Sequence, residues 1–126
     1  MKSTLGKIWA LPTTLIFGLP LGILGLCLAP RKSRIRLAHN AICFYSCPLL
    51  KGGNLALTLG NVILFQQNSD CFWGIDIGAH EQQHTYQAEV LGFLYVPLHI
   101  ICLLFFGRYK KNPLERGPFS TPPRPW

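Results

Sequence analysis

The chain contains, from residue 80 to residue 87, the stretch His80-Glu81-Gln82-Gln83-His84-Thr85-Tyr86-Gln87. On a helix, residues four apart differ by about 40° in direction, so both histidines share one face and both imidazoles can reach one metal ion. Glu81 points along a neighbouring line, toward the water that such a metal activates. This is the HExxH pattern, in which a carboxylate takes a proton from water as it attacks a carbonyl. The stretch predicts a metal site on one helix and makes the chain a candidate zinc metallopeptidase.

The residues around the motif favour a helix that carries a site. Gly78 comes just before the motif, both intervening residues are polar, and an apolar run starts soon after its end. The alternative is a packing or surface feature, because histidines four residues apart also occur on helices that bind no metal. The segment from Gln66 to Ile77 reads as a loop, so we expect the helix to start near Asp76 or Gly78 and to run from about Ala79 to Leu91.

The N-terminal part reads as a membrane segment. From Ile8 to Pro30 no side chain is charged over 23 positions, which is enough for a helix to cross a hydrocarbon core of about 30 Å. A secretory signal is the alternative, but the run is long for an apolar region of roughly 7 to 15 residues and no clear cleavage site follows, so we expect a retained anchor. Pro12 and Pro20 interrupt the run and predict a kinked span or a hairpin that dips into one leaflet.

A second apolar run extends from Val90 to Gly107 and is borderline in length for a span. Basic residues follow both runs: Arg31, Lys32, Arg34 and Arg36 after the first, and Arg108, Lys110, Lys111 and Arg116 after the second. The positive-inside tendency would place both clusters in the cytoplasm, which two complete spans cannot do. We therefore expect the second run, with its Pro97 and His99, to pack on the core or lie in the membrane interface. The net charge of +7 fits contacts to anionic membrane lipid, and no nucleic-acid partner is expected.

Two stretches between the anchor and the motif read as strands. The first, from Arg34 to Phe44, alternates in part between polar and apolar residues and predicts a strand or short hairpin. The second, from Leu55 to Phe65, predicts a strand with a bulge or tight turn at Gly60-Asn61. An edge strand beside the motif helix could pair with an extended substrate. The five cysteines are scattered and predict neither a disulfide framework nor a second metal site.

A site that is built on two histidines needs a third protein ligand and an open position. Glu89 lies five residues past His84, about 140° around the helix, and so faces away. Glu115 is the leading candidate, because the chain between it and His84 is long enough to turn back and because its segment, Asn112-Pro113-Leu114-Glu115, can open a short helix. His99 is a weaker candidate, since a histidine inside an apolar run packs or caps more often than it binds metal.

Three stretches of the chain together resemble the pattern of a known family. They are Thr58-Leu59-Gly60-Asn61-Val62-Ile63-Leu64, the motif helix with Leu91-Gly92, and Asn112-Pro113-Leu114-Glu115. They resemble poorly characterised bacterial membrane-associated zincin-like metallopeptidases of the gluzincin type, over about residues 55 to 116. The resemblance implies that His80, His84 and Glu115 bind Zn²⁺ and that Glu81 is the general base. It also implies that Gln87 either supports a ligand from a second layer or serves in packing.

The chain departs from the pattern of that family in two ways. Gly117-Pro118 stops the third-ligand helix where the relatives continue with alanine. Little protein follows, so the substrate cleft would have one wall unless the membrane or a partner subunit supplies the other.

The sequence therefore predicts an α+β fold, a minimal zincin-like core of short strands plus the motif helix, with one or two membrane-embedded apolar helices. We expect an N-terminal membrane anchor at residues 1–33, the core at 34–116 including an apolar helix at 90–107, and a Pro-rich tail at 117–126. The predicted function is a zinc-dependent hydrolase of the bacterial inner membrane, a metallopeptidase that acts on a peptide or protein substrate. The alternatives are a non-catalytic membrane protein with a structural or relic metal site, and a metal-free adaptor that uses the Pro-rich tail.

Overall fold

A computed structural model describes residues 4–29, 33–50, 55–69, 71–72, 75–107, 111–120 and 123–125. The helices are α1 (Thr4–Thr13), α2 (Leu19–Leu28), α3 (Ile77–Leu91), α4 (Tyr95–Phe106) and α5 (Pro113–Arg116), with a π-helical turn at Thr14–Gly18 and a 3-10 turn at Gly92–Leu94. The strands are β1 (Arg34–Ala38), β2 (Ala41–Tyr45), β3 (Ala56–Leu59), β4 (Val62–Phe65), β5 (Cys71–Phe72) and β6 (Ile75–Asp76). The predicted α+β class is confirmed.

The main sheet has four strands in the order β1-β2-β4-β3 and is mixed, because β2 and β4 run parallel while the other pairs are antiparallel. The two hairpins turn at His39-Asn40 and at Gly60-Asn61, where His39, Asn40 and Gly60 have positive φ angles, as tight two-residue turns require. The short hairpin and the tight turn that the sequence predicts are both confirmed. All four residues of β4 are buried, so this strand is the centre of the core.

The first helix is continuous from Thr4 to Leu28, over 25 residues, with no reversal of the chain. Just after Pro12, the π turn rotates the buried face of the helix. Thr14 accepts a hydrogen bond from the backbone N–H of Asn61 at 2.9 Å and thereby ties this turn to the β3–β4 hairpin. As a result α1 packs on α3, whereas α2 packs on the sheet.

Small residues let the second half of this helix approach the sheet closely. A Cβ atom on Gly22 would come within 2.5 Å of the Phe44 ring, and one on Gly18 within 2.7 Å of the Leu59 carbonyl oxygen. These glycines are therefore required by the packing of α2 on β2 and on the β3–β4 hairpin. The prediction of an anchor separate from the core rests on composition alone, and the structure places this helix against the core.

The motif helix α3 starts with an Asp76 side chain that accepts a hydrogen bond from the backbone N–H of Ala79 at 2.9 Å. It ends at Gly92, whose φ of +61° suits a residue without a side chain. The predicted limits, from about residue 79 to 91 with a start near Asp76 or Gly78, are confirmed to within two residues.

Two helical segments, Thr4–Leu28 and Ile77–Phe106, are long and apolar enough to cross a membrane, by length and composition alone. The second segment is not one straight rod. The rings of His84 and His99 lie 5.6 Å apart, whereas 15 residues along a straight helix would separate them by about 22 Å. The chain therefore bends sharply at the 3-10 turn, so that His99 of α4 meets His84 of the motif helix.

Candidate metal centre

Three side chains from two helices converge on one point. His80 Nε2 lies 3.1 Å from Glu115 Oε2, and His84 Nε2 lies 3.2 Å from Glu115 Oε1. The ligand atoms of the three residues all lie within 4.8 Å of one another, and the group could hold a metal ion. The structure thus brings the two motif histidines of α3 together with Glu115 of α5, although the whole of α4 separates them in the sequence.

The spacing of these atoms is near that of ligands around a metal ion. Nitrogen and oxygen ligands at about 2.0 to 2.2 Å from a tetrahedral zinc ion stand about 3.3 to 3.5 Å from each other. The observed separations of 3.1 and 3.2 Å are slightly shorter and are also those of imidazole–carboxylate hydrogen bonds. Whether a proton or a metal ion lies between the imidazole nitrogens and the carboxylate therefore depends on the protonation of the histidines.

Gln87 fixes the protonation of one histidine. Its amide nitrogen donates to the backbone carbonyls of Leu114 and Pro125 at 2.7 and 2.6 Å, which orients the amide oxygen toward His84 Nδ1 at 2.8 Å. Nδ1 must then carry a hydrogen and donate it. Without a metal ion, Nε2 carries a second hydrogen and donates it to the Glu115 carboxylate at 3.2 Å. With a metal ion, Nδ1 keeps its hydrogen bond to Gln87 and the lone pair of Nε2 binds the ion. This is the arrangement that a metal-binding histidine uses.

Glu115 is positioned by a capped turn. Asn112 is fully buried, accepts a hydrogen bond from the Leu114 N–H at 2.9 Å and donates one to the Gly107 carbonyl at 2.8 Å. Pro113 follows at the first position of α5, where a missing N–H costs nothing. Burial raises the pKa of Glu115, but hydrogen bonds from His80 and His84 outweigh it and lower the pKa from 4.5 to about 2. The carboxylate is therefore charged at neutral pH, as a metal ligand must be.

A residue of the sheet holds the side chain of Glu81 in place. Its Oε2 accepts a hydrogen bond of 2.5 Å from the hydroxyl of Thr58 on β3, and the same hydroxyl lies 3.3 Å from the Glu81 backbone carbonyl. Both side chains are buried, with exposed fractions of 8% for Glu81 and 4% for Thr58. The hydrogen bond fixes the carboxylate beside the metal-ligand group without making it a member of that group.

A cavity of about 60 Å³ adjoins two of the three candidate ligands, His84 and Glu115, and it is large enough for at least one water molecule. It is lined by Ala56, Leu57, Thr58, Glu81, His84, Tyr95, His99 and Glu115. His99 Nδ1 is buried and has no hydrogen-bond partner among the described residues. His99 and Tyr95 line the same cavity as Glu81.

The sequence predicts that Glu89 faces away from the site and that His99 is a weaker candidate ligand. Glu89 faces away from the site, and its Oε2 accepts hydrogen bonds from Lys7 at 3.0 Å, Asn40 at 2.5 Å and Asn61 at 3.0 Å. His99 is outside the ligand group and lines the cavity instead. Sequence reasoning did not assign a role to Thr58, whose only signal is a hydroxyl in an otherwise apolar strand.

Removing the hydrogen bond between Gln87 and His84 is expected to weaken metal binding. In Gln87→Met, which keeps the length of the side chain, zinc affinity should fall about 10- to 100-fold because the imidazole loses its fixed proton and orientation. Competition with a chromophoric zinc chelator measures the change. The matched control is Gln83→Met on the same helix, since Gln83 bonds only to the Ala79 carbonyl among the described residues and should leave the affinity within twofold. Equal affinities in the two variants would refute the role of Gln87.

In comparisons with protein-family models, curated proteins and solved structures, nothing matches this chain. Its function therefore has to be argued from its own residues.

Proposed function

We propose that the chain is a membrane-associated zinc-dependent peptidase with a zincin-like core, in which His80, His84 and Glu115 hold Zn²⁺. The observation that carries the proposal is the convergence of these three side chains beside a buried glutamate and a cavity. When bound, zinc polarises a carbonyl group and makes water a nucleophile at neutral pH. Among the described residues the group offers three protein ligands, which is the number that catalytic zinc sites use.

Glu81 supplies the general base of the proposed reaction. It lines the cavity beside the ligands and can take the proton of the attacking water, then deliver it to the leaving amine. The Thr58 hydroxyl holds the carboxylate in place by its 2.5 Å hydrogen bond. Tyr95 and His99, in the same cavity, offer hydrogen-bond donors for the oxygen of a substrate carbonyl as it gains negative charge.

The edge of the sheet favours a peptide as the substrate. β3 is the last strand of the sheet. Its register with β4 is antiparallel, and the Gln66 N–H donates to the Leu55 carbonyl. The peptide groups of Leu55, Leu57 and Leu59 therefore point toward β4. The peptide groups of Ala56 and Thr58 then point outward from the sheet. Both residues line the cavity, so an extended substrate that paired with this edge would pass beside Glu81.

The experiment is a search for peptide cleavage by the full chain, purified in a mild detergent and supplied with one equivalent of Zn²⁺. The enzyme is incubated with a mixture of unstructured peptides of varied sequence, and new termini are identified by mass spectrometry. We expect cleavage that a zinc chelator stops and that added Zn²⁺ restores. Product patterns that are the same with and without the chelator would contradict a zinc-dependent peptidase.

Thr58→Val tests how Glu81 is held. Valine keeps the shape of threonine and removes the hydroxyl, so zinc affinity should be unchanged while the rate of peptide hydrolysis falls about 10-fold, near the worth of one hydrogen bond to a charged group. Thr58→Ser keeps the hydroxyl and should restore most of the rate. A rate that is lost equally in the serine and valine variants would show that the packing of Thr58 matters, and that its hydrogen bond does not.

A further inference from the structure

The first helix touches the folded core along its whole length. Near its start, Lys7 reaches the buried Glu89 of α3. In its middle, Gly18 meets the β3–β4 hairpin, and near its end Gly25 meets Cys47, where an added Cβ would come within 2.8 Å of the sulfur atom. Over the 25 residues from Thr4 to Leu28, about 37 Å of helix, one side is therefore covered by protein.

The covering protein is suited to water rather than to lipid. β1 forms one edge of the sheet, and its first four residues are exposed, so this edge carries peptide groups that no neighbouring strand among the described residues satisfies. Each such group costs several kcal/mol in hydrocarbon. β1 also holds Arg34 and Arg36, and Arg36 is exposed. A helix that crossed a bilayer would carry this sheet into the hydrocarbon beside it.

The part of the helix surface that the core leaves uncovered is apolar. The exposed large apolar side chains between residues 4 and 28 are Leu5, Ile8, Trp9, Leu11, Leu15, Ile16, Phe17, Ile23, Leu24 and Leu28. The one charged residue in this range of the sequence is Lys7, and its ammonium group is paired with Glu89 at 3.0 Å. Apart from Lys7, whose side chain is 44% exposed beside Glu89, the uncovered surface of the helix presents no charged group.

This apolar side continues onto the second apolar segment. The rings of Trp9 and Phe93 meet edge to face at 5.4 Å, and both residues are about half exposed. From there α4 exposes Leu104 and Phe105, each 78% accessible. The 12 residues of α4 extend about 18 Å, too short to cross a core of about 30 Å.

We propose that the outer side of the first helix and of α4 is a docking surface for one leaflet of an anionic bilayer, on which the first helix lies in the membrane plane and does not cross. This proposal rests on the membrane location in the proposed function and is independent of the metal. It also accounts for the charges, because the basic clusters that follow the two apolar runs in the sequence can then meet acidic headgroups from one side of the membrane.

The test is whether the two ends of the first helix lie on the same side of the membrane. In full-length protein with Cys27, Cys71 and Cys102 changed to serine, a single new cysteine is placed before the helix (Thr4→Cys) or after it (Arg36→Cys). Cells that express each variant are treated with a membrane-impermeant maleimide, either intact or after rupture. We expect both positions to be labelled under the same condition. Labelling of one position in intact cells and of the other after rupture alone would overturn the proposal.

A depth measurement covers the case in which a new cysteine disturbs folding. Full-length protein with its three tryptophans changed to phenylalanine, and with Leu5→Trp or Phe17→Trp as the one tryptophan, is reconstituted in vesicles of phosphatidylcholine and phosphatidylglycerol with brominated chains. An in-plane helix gives both tryptophans the same quenching depth. A spanning helix separates them by up to about 18 Å, which would overturn the proposal. Protein absent from the membrane fraction would also overturn it, and would leave the zinc site of the proposed function to be tested on its own.

Discussion

Replacing Glu115 with glutamine is expected to lower the affinity for zinc by more than about 100-fold, since even residues that only support a ligand are worth 10- to 100-fold. The amide is neutral, and its oxygen is a poorer donor to zinc than a carboxylate oxygen. Glu115 is also the one ligand of the proposed site that comes from outside α3. It contacts both His80 and His84 at 3.1 to 3.2 Å, so its loss removes the negative charge that the two histidines share.

The affinity is measured by competition with a chromophoric chelator, and folding is checked by circular dichroism. The matched control is Arg116→Gln, because Arg116 is exposed and lies next to Glu115 on the same short helix. The control should bind zinc like the parent. If Glu115→Gln bound zinc as tightly as the control, the third ligand would have to be another residue.

Replacing Glu81 with glutamine is expected to leave zinc binding intact and to reduce peptide hydrolysis by about 10²- to 10⁴-fold. Glutamine fits the same space but cannot take a proton from water. The Thr58 hydroxyl can still donate to its amide oxygen, so the local structure around β3 and α3 should persist. The measurement is the rate of cleavage of the best peptide from the substrate search, set beside the zinc content of the same sample.

Glu81→Asp serves as the control for this prediction. It keeps the carboxylate but retracts it by one methylene, so the rate should lie between those of the parent and Glu81→Gln. Loss of zinc in Glu81→Gln would make Glu81 a ligand rather than a base. Full hydrolysis in Glu81→Gln would assign the cleavage to another base or to a contaminating protease, and would favour the alternative of a structural metal site.

The parts of the site that the sequence predicted are those that local rules fix. His80 and His84 share a face because helical geometry alone determines their direction. The short helix that carries Glu115 follows from Asn112 and Pro113, since an Asn cap and a Pro at the first helical position are favoured at the start of a helix. Glu115 is a candidate ligand in the sequence because its short helix is recognisable without its contacts, but its contact with His80 and His84 comes from tertiary packing.

The parts that the sequence did not predict depend on how elements pack. Thr58 meets Glu81 because β3 lies beside α3, and no periodicity in either segment reports that contact. Tyr95 and His99 reach the cavity because the chain bends at Gly92–Leu94. The sequence showed a continuous apolar run there, and an apolar run does not by itself distinguish a straight helix from a bent one.

The first helix illustrates the same limit. Its composition indicated an anchor, and composition cannot tell which side of a helix a protein covers. The contacts of Gly18 and Gly22 with the sheet and of Lys7 with Glu89 come from tertiary packing. They depend on the π turn at Thr14–Gly18, which changes the buried side of the helix partway along and has no simple signal in the sequence.

The central claim, that His80, His84 and Glu115 bind one zinc ion, is tested most directly by the metal content of the purified full chain. Elemental analysis is made on the parent and on His84→Ala, both purified in detergent and dialysed against the same zinc buffer. We predict about one zinc per parent chain and close to none in His84→Ala. An equal zinc content in the two proteins, or none in the parent, would contradict the site and with it the peptidase.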